Sequence, residues 1–259
     1  MPPPQTIAII AAGAMGSAVA QRLINAGATR ERARDAGMRD VPFPELTTRK
    51  DYLTTYNAAP VEARAESPIY VDCNAVSPET VKGIASLFAD SDVRFIDACI
   101  IGWPPKDNYN PTFYAAAGRG DGAPLSKFAE LRSNIGDASA LKMSYAGIVK
   151  GLTGLFTTMI LSAHAASPAT ADALLLELRH SQPALLDRLI RAIPDMLPKA
   201  YRWVDEMREI SGFVGGPLGG IHEGMANLYE RMVQSIAENG DDKRILEAFV
   251  EAARRETSE

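Results

Sequence analysis

The sequence predicts an α/β protein in which an abbreviated, doubly wound parallel sheet is followed by an all-helical domain. Three observations carry this. Short apolar strand-like runs alternate with helical patterns through the first half, and no β-rich run follows Gly136. The 259 residues are also too many for one small domain and too few for three. The boundary falls between 1–137 and 138–259.

Thr6 to Ala11 (TIAIIA) is a continuous isoleucine-rich run, the pattern of a strand buried on both faces. Ala14 to Ala26 follows as a helix with Met15, Val19, Leu23 and Ile24 on one stripe and Gly27 as its stop. Pro68 to Cys73 predicts a second buried strand. Ser77 and Pro78 then serve as N-cap and first-turn proline of a helix through about Ala89. Val93 to Ile101 and Thr112 to Ala117 complete the strands. Ala138 to Ala166 predicts one long helix, apolar nearly all round and therefore buried on most sides. Pro168, Pro183, Pro194 and Pro198 punctuate shorter helices. Tyr201 to Ile210, His222 to Glu238 and Lys243 to Arg255 are helical, with Gly212 to Gly220 predicted as a loop.

Composition narrows the function classes. A net charge of -5 supplies no positive field for nucleic acid or an acidic membrane surface. Only Cys73 and Cys99 are present, without CxxC or a Cys/His cluster, which points to a reducing, cytoplasmic setting and away from structural zinc. Met1 to Gln5 lacks the basic and apolar regions of a signal peptide. Leu152 to Ala166, broken by Thr153, Thr157, Thr158, Ser162 and His164, is expected to be too short to span a bilayer. The expectation is a soluble protein.

Between the first strand and helix lies Ala11-Ala12-Gly13-Ala14-Met15-Gly16, a GxGxxG turn with alanine at its first glycine. In a Rossmann-like fold Gly13 lets backbone approach a pyrophosphate, Gly16 packs helix on strand, and the helix N-terminus offers N–H groups to the anion. Ala12, Gly13, Ala14, Met15 and Gly16 are therefore the candidate cofactor turn; the alternative is a close-packed turn without a ligand. The acidic residue that should close a second strand about 20 residues on is not found. Instead Thr29 to Gly37 is charged, and Arg30 and Arg32 are either contacts for a 2′-phosphate or solvated helix charges. Asp51 to Ala59 and Glu62 to Ser67 are poor substitutes for the missing strand and loop.

The IAIIAAGAMGSAVAQRLINAG segment, YVDCNAVSP at Tyr70 to Pro78, and the helix opening LKMSYAGI at Leu141 together resemble the β-hydroxyacid dehydrogenase superfamily. Within it, the sequence is most similar to 6-phosphogluconate dehydrogenase-like proteins with a helical C-terminal domain. The resemblance implies an NADP- or NAD-dependent oxidoreductase acting on a small hydroxyacid-like molecule. It places Lys142 at the catalytic lysine, with Gly136 six residues before it and Ala146 where the family has asparagine. It places Asn74 near the nicotinamide ribose, Lys199 at the second lysine bordering the substrate, and Ile101-Gly102-Trp103 where a Ser-Gly-Gly turn holds the substrate carboxylate. Val149 replaces the glutamate that serves decarboxylation in 6-phosphogluconate dehydrogenase, so that half-reaction lacks its proton donor.

Oxidation of a secondary alcohol needs a base for the hydroxyl proton as hydride leaves carbon, and a lysine serves when burial and neighbouring positive charge lower its pKa. Lys142 has that setting, set against the alternative of a lysine reaching from a buried helix to solvent. Tyr145 and Lys150 are candidate replacement polar groups for the missing asparagine, and Tyr145 is equally a core aromatic. His164, His180 and His222 match no triad, and Arg202, Trp203, Asp205 and Glu206 form an amphipathic helix face. The unusually apolar long helix predicts a symmetric homodimer that covers it. The competing reading is a degenerate or internally deleted relative that binds nucleotide weakly and acts as a scaffold. The oxidoreductase reading requires the Lys142 amine to face the glycine turn across a crevice.

Overall fold

The computed structural model describes Met15, residues 69–118, 129–130 and 134–258. Met15 is helical and half-buried; the rest of the glycine turn, Arg30 and Arg32, and the region of the missing strand lie outside the described residues. Two compact units are present, one of residues 1–74 and 78–139, the other of residues 75–77 and 140–259.

In the first unit, strands β1 (Ile69–Asp72), β2 (Arg94–Ile101), β3 (Thr112–Ala117) and β4 (Ala129–Glu130) form one sheet in that order. β1 runs parallel to β2, with Ile69 opposite Arg94 and Asp72 opposite Asp97. β3 is parallel to β4 but antiparallel to β2, pairing Ile96 with Ala117 and Ile101 with Thr112. The fold class read from sequence stands, with one antiparallel pair inside an otherwise parallel order. The ten-residue connection from Ile101 to Thr112 explains it, because a right-handed parallel crossover needs a longer connection, usually a helix. Helix α1 (Pro78–Ser86) buries Val81 and Ile84 and joins β1 to β2. Ile96, Ala98, Ala115 and Ala117 form one core cluster of the sheet. Phe88, Phe95 and Tyr70 pack their rings together, with centroids 4.8 to 6.0 Å apart.

Helix α2 (Asp137–Ala166) is followed by α3 (Pro168–Ser181), α4 (Pro183–Met196), a 3₁₀ turn (Leu197–Lys199), α5 (Ala200–Val214), α6 (Gly216–Ala237) and α7 (Asp241–Ser258). Ser167 caps α3, its hydroxyl accepting from the Thr170 N–H at 3.0 Å, with Pro168 following at the first helical position. α4 buries Leu186, Leu189, Ile193 and Met196, a three-and-four spacing that puts one stripe on the core. Met207, Ile210, Tyr229, Met232, Leu246 and Val250 join the same cluster from α5, α6 and α7. The predicted loop over Gly212 to Gly220 is corrected: α5 continues to Val214 and α6 begins at Gly216, so only Gly215 interrupts the helices. Pro217 in the first turn of α6 suits a helix start, and Gly215, at φ +66°, takes the single break between the two helices.

α2 also differs from expectation. At 30 residues and a mean hydropathy of 1.4 over its most apolar stretch, the whole helix is long and apolar enough, by length and composition alone, to cross a membrane, a test that the core helix of a soluble protein also passes. One stripe of it, through Met143, Ala146, Thr153, Thr157 and Ile160, is buried in the helical core. The opposite stripe leaves Tyr145, Ile148, Leu155 and Met159 exposed, so the helix is not buried on most sides. The threonines are accommodated because the Thr153 and Thr157 hydroxyls donate to the carbonyls of Val149 and Thr153, at 3.1 and 2.8 Å.

Candidate functional site

In the sheet unit, Asn74 and Gly102 follow the carboxyl ends of two adjacent parallel strands, where open α/β sheets place ligands. Asn74 is half-buried and tied down: its backbone N–H and side-chain amide both donate to Asp72 Oδ1, at 2.9 and 2.6 Å. Its own side-chain oxygen is thereby oriented as the acceptor of that carboxamide. Gly102 has φ of +130°, a conformation that requires glycine, and a Cβ there would displace the Tyr109 hydroxyl. The Tyr109 hydroxyl accepts from the Trp103 N–H at 3.2 Å and fixes the turn. Trp103 itself is exposed.

The sequence reading passed over Asp97. Its side chain is fully buried, and its two oxygens collect four hydrogen bonds at the start of α2. Oδ2 accepts from the N–H groups of Gly136, Ala138 and Ser139 at 2.9, 3.1 and 3.1 Å, and Oδ1 from the Ser139 hydroxyl at 2.8 Å. A carboxylate from β2 thus caps the otherwise orphaned first-turn donors of the helix that carries Lys142. Gly136, at φ +110°, turns the chain into that cap. Burial raises the Asp97 carboxyl above its ordinary range, and the four hydrogen bonds oppose that rise. The signal in sequence was a lone acid inside the apolar run RFIDACII.

In the helical unit the structure brings a lysine cluster together. Lys142 and Lys150 lie on α2, and Lys199, Arg202, Trp203 and Glu206 follow at three- and four-residue steps along one face of the turn and helix α5. Lys150 lies on the buried stripe of α2, forms an ion pair with Glu206, and sits 5.2 Å over the Trp203 ring. Their side chains are 17% and 7% exposed, so Glu206 is not the solvated face residue that the amphipathic pattern suggested. A carboxylate is buried there because the amine two helical layers away in sequence meets it, a contact that no local spacing encodes. Trp203 packs edge-on against Tyr229 at 5.2 Å, and the Tyr229 hydroxyl donates to the Lys150 carbonyl at 2.5 Å.

Burial depresses the Lys150 amine to about 7, and the charges of Lys142, Arg202 and Lys199 press in the same direction. Together they outweigh the one carboxylate that touches it. Lys142 and Lys199 are half-buried and Arg202 is exposed, so positive charge runs from the surface toward the buried Lys150 and Glu206. Tyr145 is exposed and is not a core aromatic. His222 is half-buried, with Nδ1 buried and Nε2 packed toward Gly147.

Comparisons with known proteins agree with this architecture. A family model described as a domain of unknown function, DUF1932, matches residues 165–232. The solved structure of MTH1747, a conserved protein of unknown function reported as structurally similar to 3-hydroxyacid dehydrogenases, aligns at 21% identity and TM-score 0.58. It covers 89% of this chain and 98% of its own. A conserved hypothetical protein from Sinorhizobium meliloti 1021 aligns at 20% identity and TM-score 0.53, over 78% of this chain and 70% of its own. A reductive aminase from Aspergillus terreus, in complex with NADPH and ethyl levulinate, aligns at 16% identity and TM-score 0.44, over 94% and 99% of the two chains. No curated protein matches the sequence. The first two likenesses show the fold that the sequence predicted, a sheet domain followed by helices.

Proposed function

We propose that this protein is an NAD(P)-dependent oxidoreductase that moves hydride between a nicotinamide and a small hydroxyacid-like substrate, with Lys142 as the general acid/base. The observation that supports it most is the convergence of Lys142 with Lys150, Lys199 and Arg202 in the helical unit. Burial, with these like charges, favours the neutral form of the Lys150 amine beside the proposed base. In the oxidative direction the Lys142 amine takes the hydroxyl proton; in the reverse direction its ammonium returns a proton to the carbonyl oxygen. Asp97 acts at a distance from this chemistry by capping the helix from which Lys142 projects.

A nicotinamide dinucleotide would be held by Asn74 and by Ala12, Gly13, Ala14, Met15 and Gly16, and when bound it supplies or accepts the hydride. The described residues fit it: Asn74 stands beyond the carboxyl end of β1, its amide engaged by Asp72, leaving the carboxamide oxygen to accept from a ribose hydroxyl. Within the helical unit the proposed substrate contacts are Tyr145, an exposed phenol, and the half-buried Lys199; within the sheet unit the proposed contact is the turn at Gly102. The apolar stripe of Tyr145, Ile148, Leu155 and Met159 supports a homodimer that buries this face of α2.

The test is Lys142→Ala in NADPH-dependent reduction of short 3-oxo acids. Turnover is expected to fall at least ~1,000-fold while NADPH affinity stays within about twofold, as for loss of an acid/base group that does not hold the cofactor. Unchanged turnover removes the lysine from the mechanism.

A further inference from the structure

The connection between β2 and β3 is built more firmly than joining two strands requires. Lys106 and Tyr109 close it into a tight hairpin, each donating its backbone N–H to the other's carbonyl, at 3.2 and 2.8 Å. Asp107 takes the turn at φ +49°, and Pro104 and Pro105 fix the backbone of one arm. The Tyr109 hydroxyl, accepting from the Trp103 N–H, ties the two arms a second time. Two large rings are nevertheless left in solvent: Trp103 is 62% exposed and Tyr109 44%. With Pro104, Pro105, Lys106 and Asp107 they line a concavity of about 680 Å³, a size that suits a small molecule.

We propose that this hairpin is a cradle for an aromatic ring, and that Trp103 and Tyr109 select substrates that carry one. Calling the bound molecule a substrate rests on the oxidoreductase reading; ring binding does not. The hairpin follows the carboxyl end of β2, the edge at which open α/β sheets bind ligands. Its recognition is apolar. Ile101 and Gly102 have no side-chain donor, and the Trp103 N–H is taken by Tyr109. Lys106 and Asp107 contribute one charge of each sign, so no net positive field draws an anion. A flat ring gains most from such walls, since it stacks on indole and phenol and removes their apolar area from water. The ordering cost is small, because two ties and two prolines hold the walls before a ligand arrives. The dimensions also argue against a protein partner: seven consecutive residues line the concavity, where a stable protein interface takes roughly 20–30 a side.

Isothermal titration of the full chain with 3-phenylpropanoate and with butanoate, both singly charged, isolates the ring. The ring-bearing acid is expected to bind saturably and at least ~10-fold more tightly than butanoate. Trp103→Ala, a change at an exposed position, is expected to keep the melting temperature and to reduce that ratio to about two. Trp103→Phe, which keeps a ring, is expected to hold the ratio at about five or more. Equal affinity for the two acids in the wild type, or an unchanged ratio in Trp103→Ala, overturns the proposal. A shift from dimer to monomer in Trp103→Ala by light scattering would assign the rings to a second copy of the chain and overturn it too. NADPH-dependent reduction of 3-oxo-3-phenylpropanoate and 3-oxobutanoate separates the two readings. The ring-bearing acid is expected to show a kcat/KM at least ~10-fold higher, an advantage that Trp103→Ala loses through KM, with kcat within about twofold. Ring preference in binding without turnover of either acid sinks the redox function and keeps the cradle; turnover of both acids without ring preference in binding sinks the cradle alone.

Discussion

Asp97 in the sheet unit and Glu206 in the helical unit, two of the buried carboxylates among the described residues, are accommodated by the fold in opposite ways. Asp97 is surrounded by fixed donors, three backbone N–H groups and one serine hydroxyl. Glu206 depends on an amine at the end of a flexible four-carbon stem. The first arrangement rigidifies, since backbone donors at a helix start have nowhere else to go once water is excluded. The second remains chemically responsive, because its counter-ion gains or loses a proton near neutral pH and stands among three other cations. The contrast separates anchor from apparatus: the sheet unit fixes the root of α2, and the helical unit carries the titrating groups.

Removing the anchor gives the largest effect. Asp97→Ala strands four donors at the start of α2 and is expected to cost about 3 kcal/mol, read by urea denaturation. Asp97→Asn keeps one acceptor and should lose less. A cost below about 1 kcal/mol for the alanine variant would show that water replaces the carboxylate and that the cap is dispensable.

The responsive pair is sharpened by pH. The Lys150 pKa lies lower in the folded chain than the ordinary lysine value of 10.5, so between about 7 and 10.5 the unfolded chain binds more protons. Stability should therefore rise with pH across that window, and the penalty for burying charged Lys150 is full below it. Relative to Lys150→Met, the wild type is expected to gain about 2–4 kcal/mol between pH 7 and pH 10, followed by thermal melting. A flat difference between the two proteins would mean that Glu206 keeps the amine charged throughout.

Much of the fold was legible. The strand over Thr112 to Ala117 coincides with β3, and the predicted starts at Pro78 and Pro168 match α1 and α3, because alternating apolar runs and proline starts are local signals, whereas α6 begins six residues before the predicted His222. The antiparallel pairing of β2 with β3 was not, since strand direction is set by the connection and not by the strand itself. Lys142, Lys199 and Asn74 came from the family resemblance and not from any physical signal of their own in the sequence. Asp97 and the Lys150 with Glu206 pair are long-range contacts, separated by about 40 residues or more in sequence. Each showed in sequence only as a charge interrupting an apolar stripe. The α2 surface misled for the converse reason: apolarity on every side signals burial but does not say whether the cover comes from the same chain.

Smaller effects probe that uncovered face. Leu155→Glu combined with Met159→Glu changes exposed positions, so the isolated chain should keep its stability within about 0.5 kcal/mol while light scattering shifts from dimer to monomer. A monomeric wild type at micromolar concentration would contradict the dimer. Tyr145→Phe, which removes only a phenolic hydroxyl, is expected to lower kcat/KM about two- to fivefold. No change would leave Tyr145 to the dimer face alone.

The central claim is nicotinamide-dependent chemistry, and its most direct measurement is titration of the full chain into NADPH and into NADH while following nicotinamide fluorescence. The account predicts saturable enhancement for at least one of them with a dissociation constant in the order of micromolar to tens of micromolar. Absence of any saturable change with either nucleotide up to about 1 mM would contradict it.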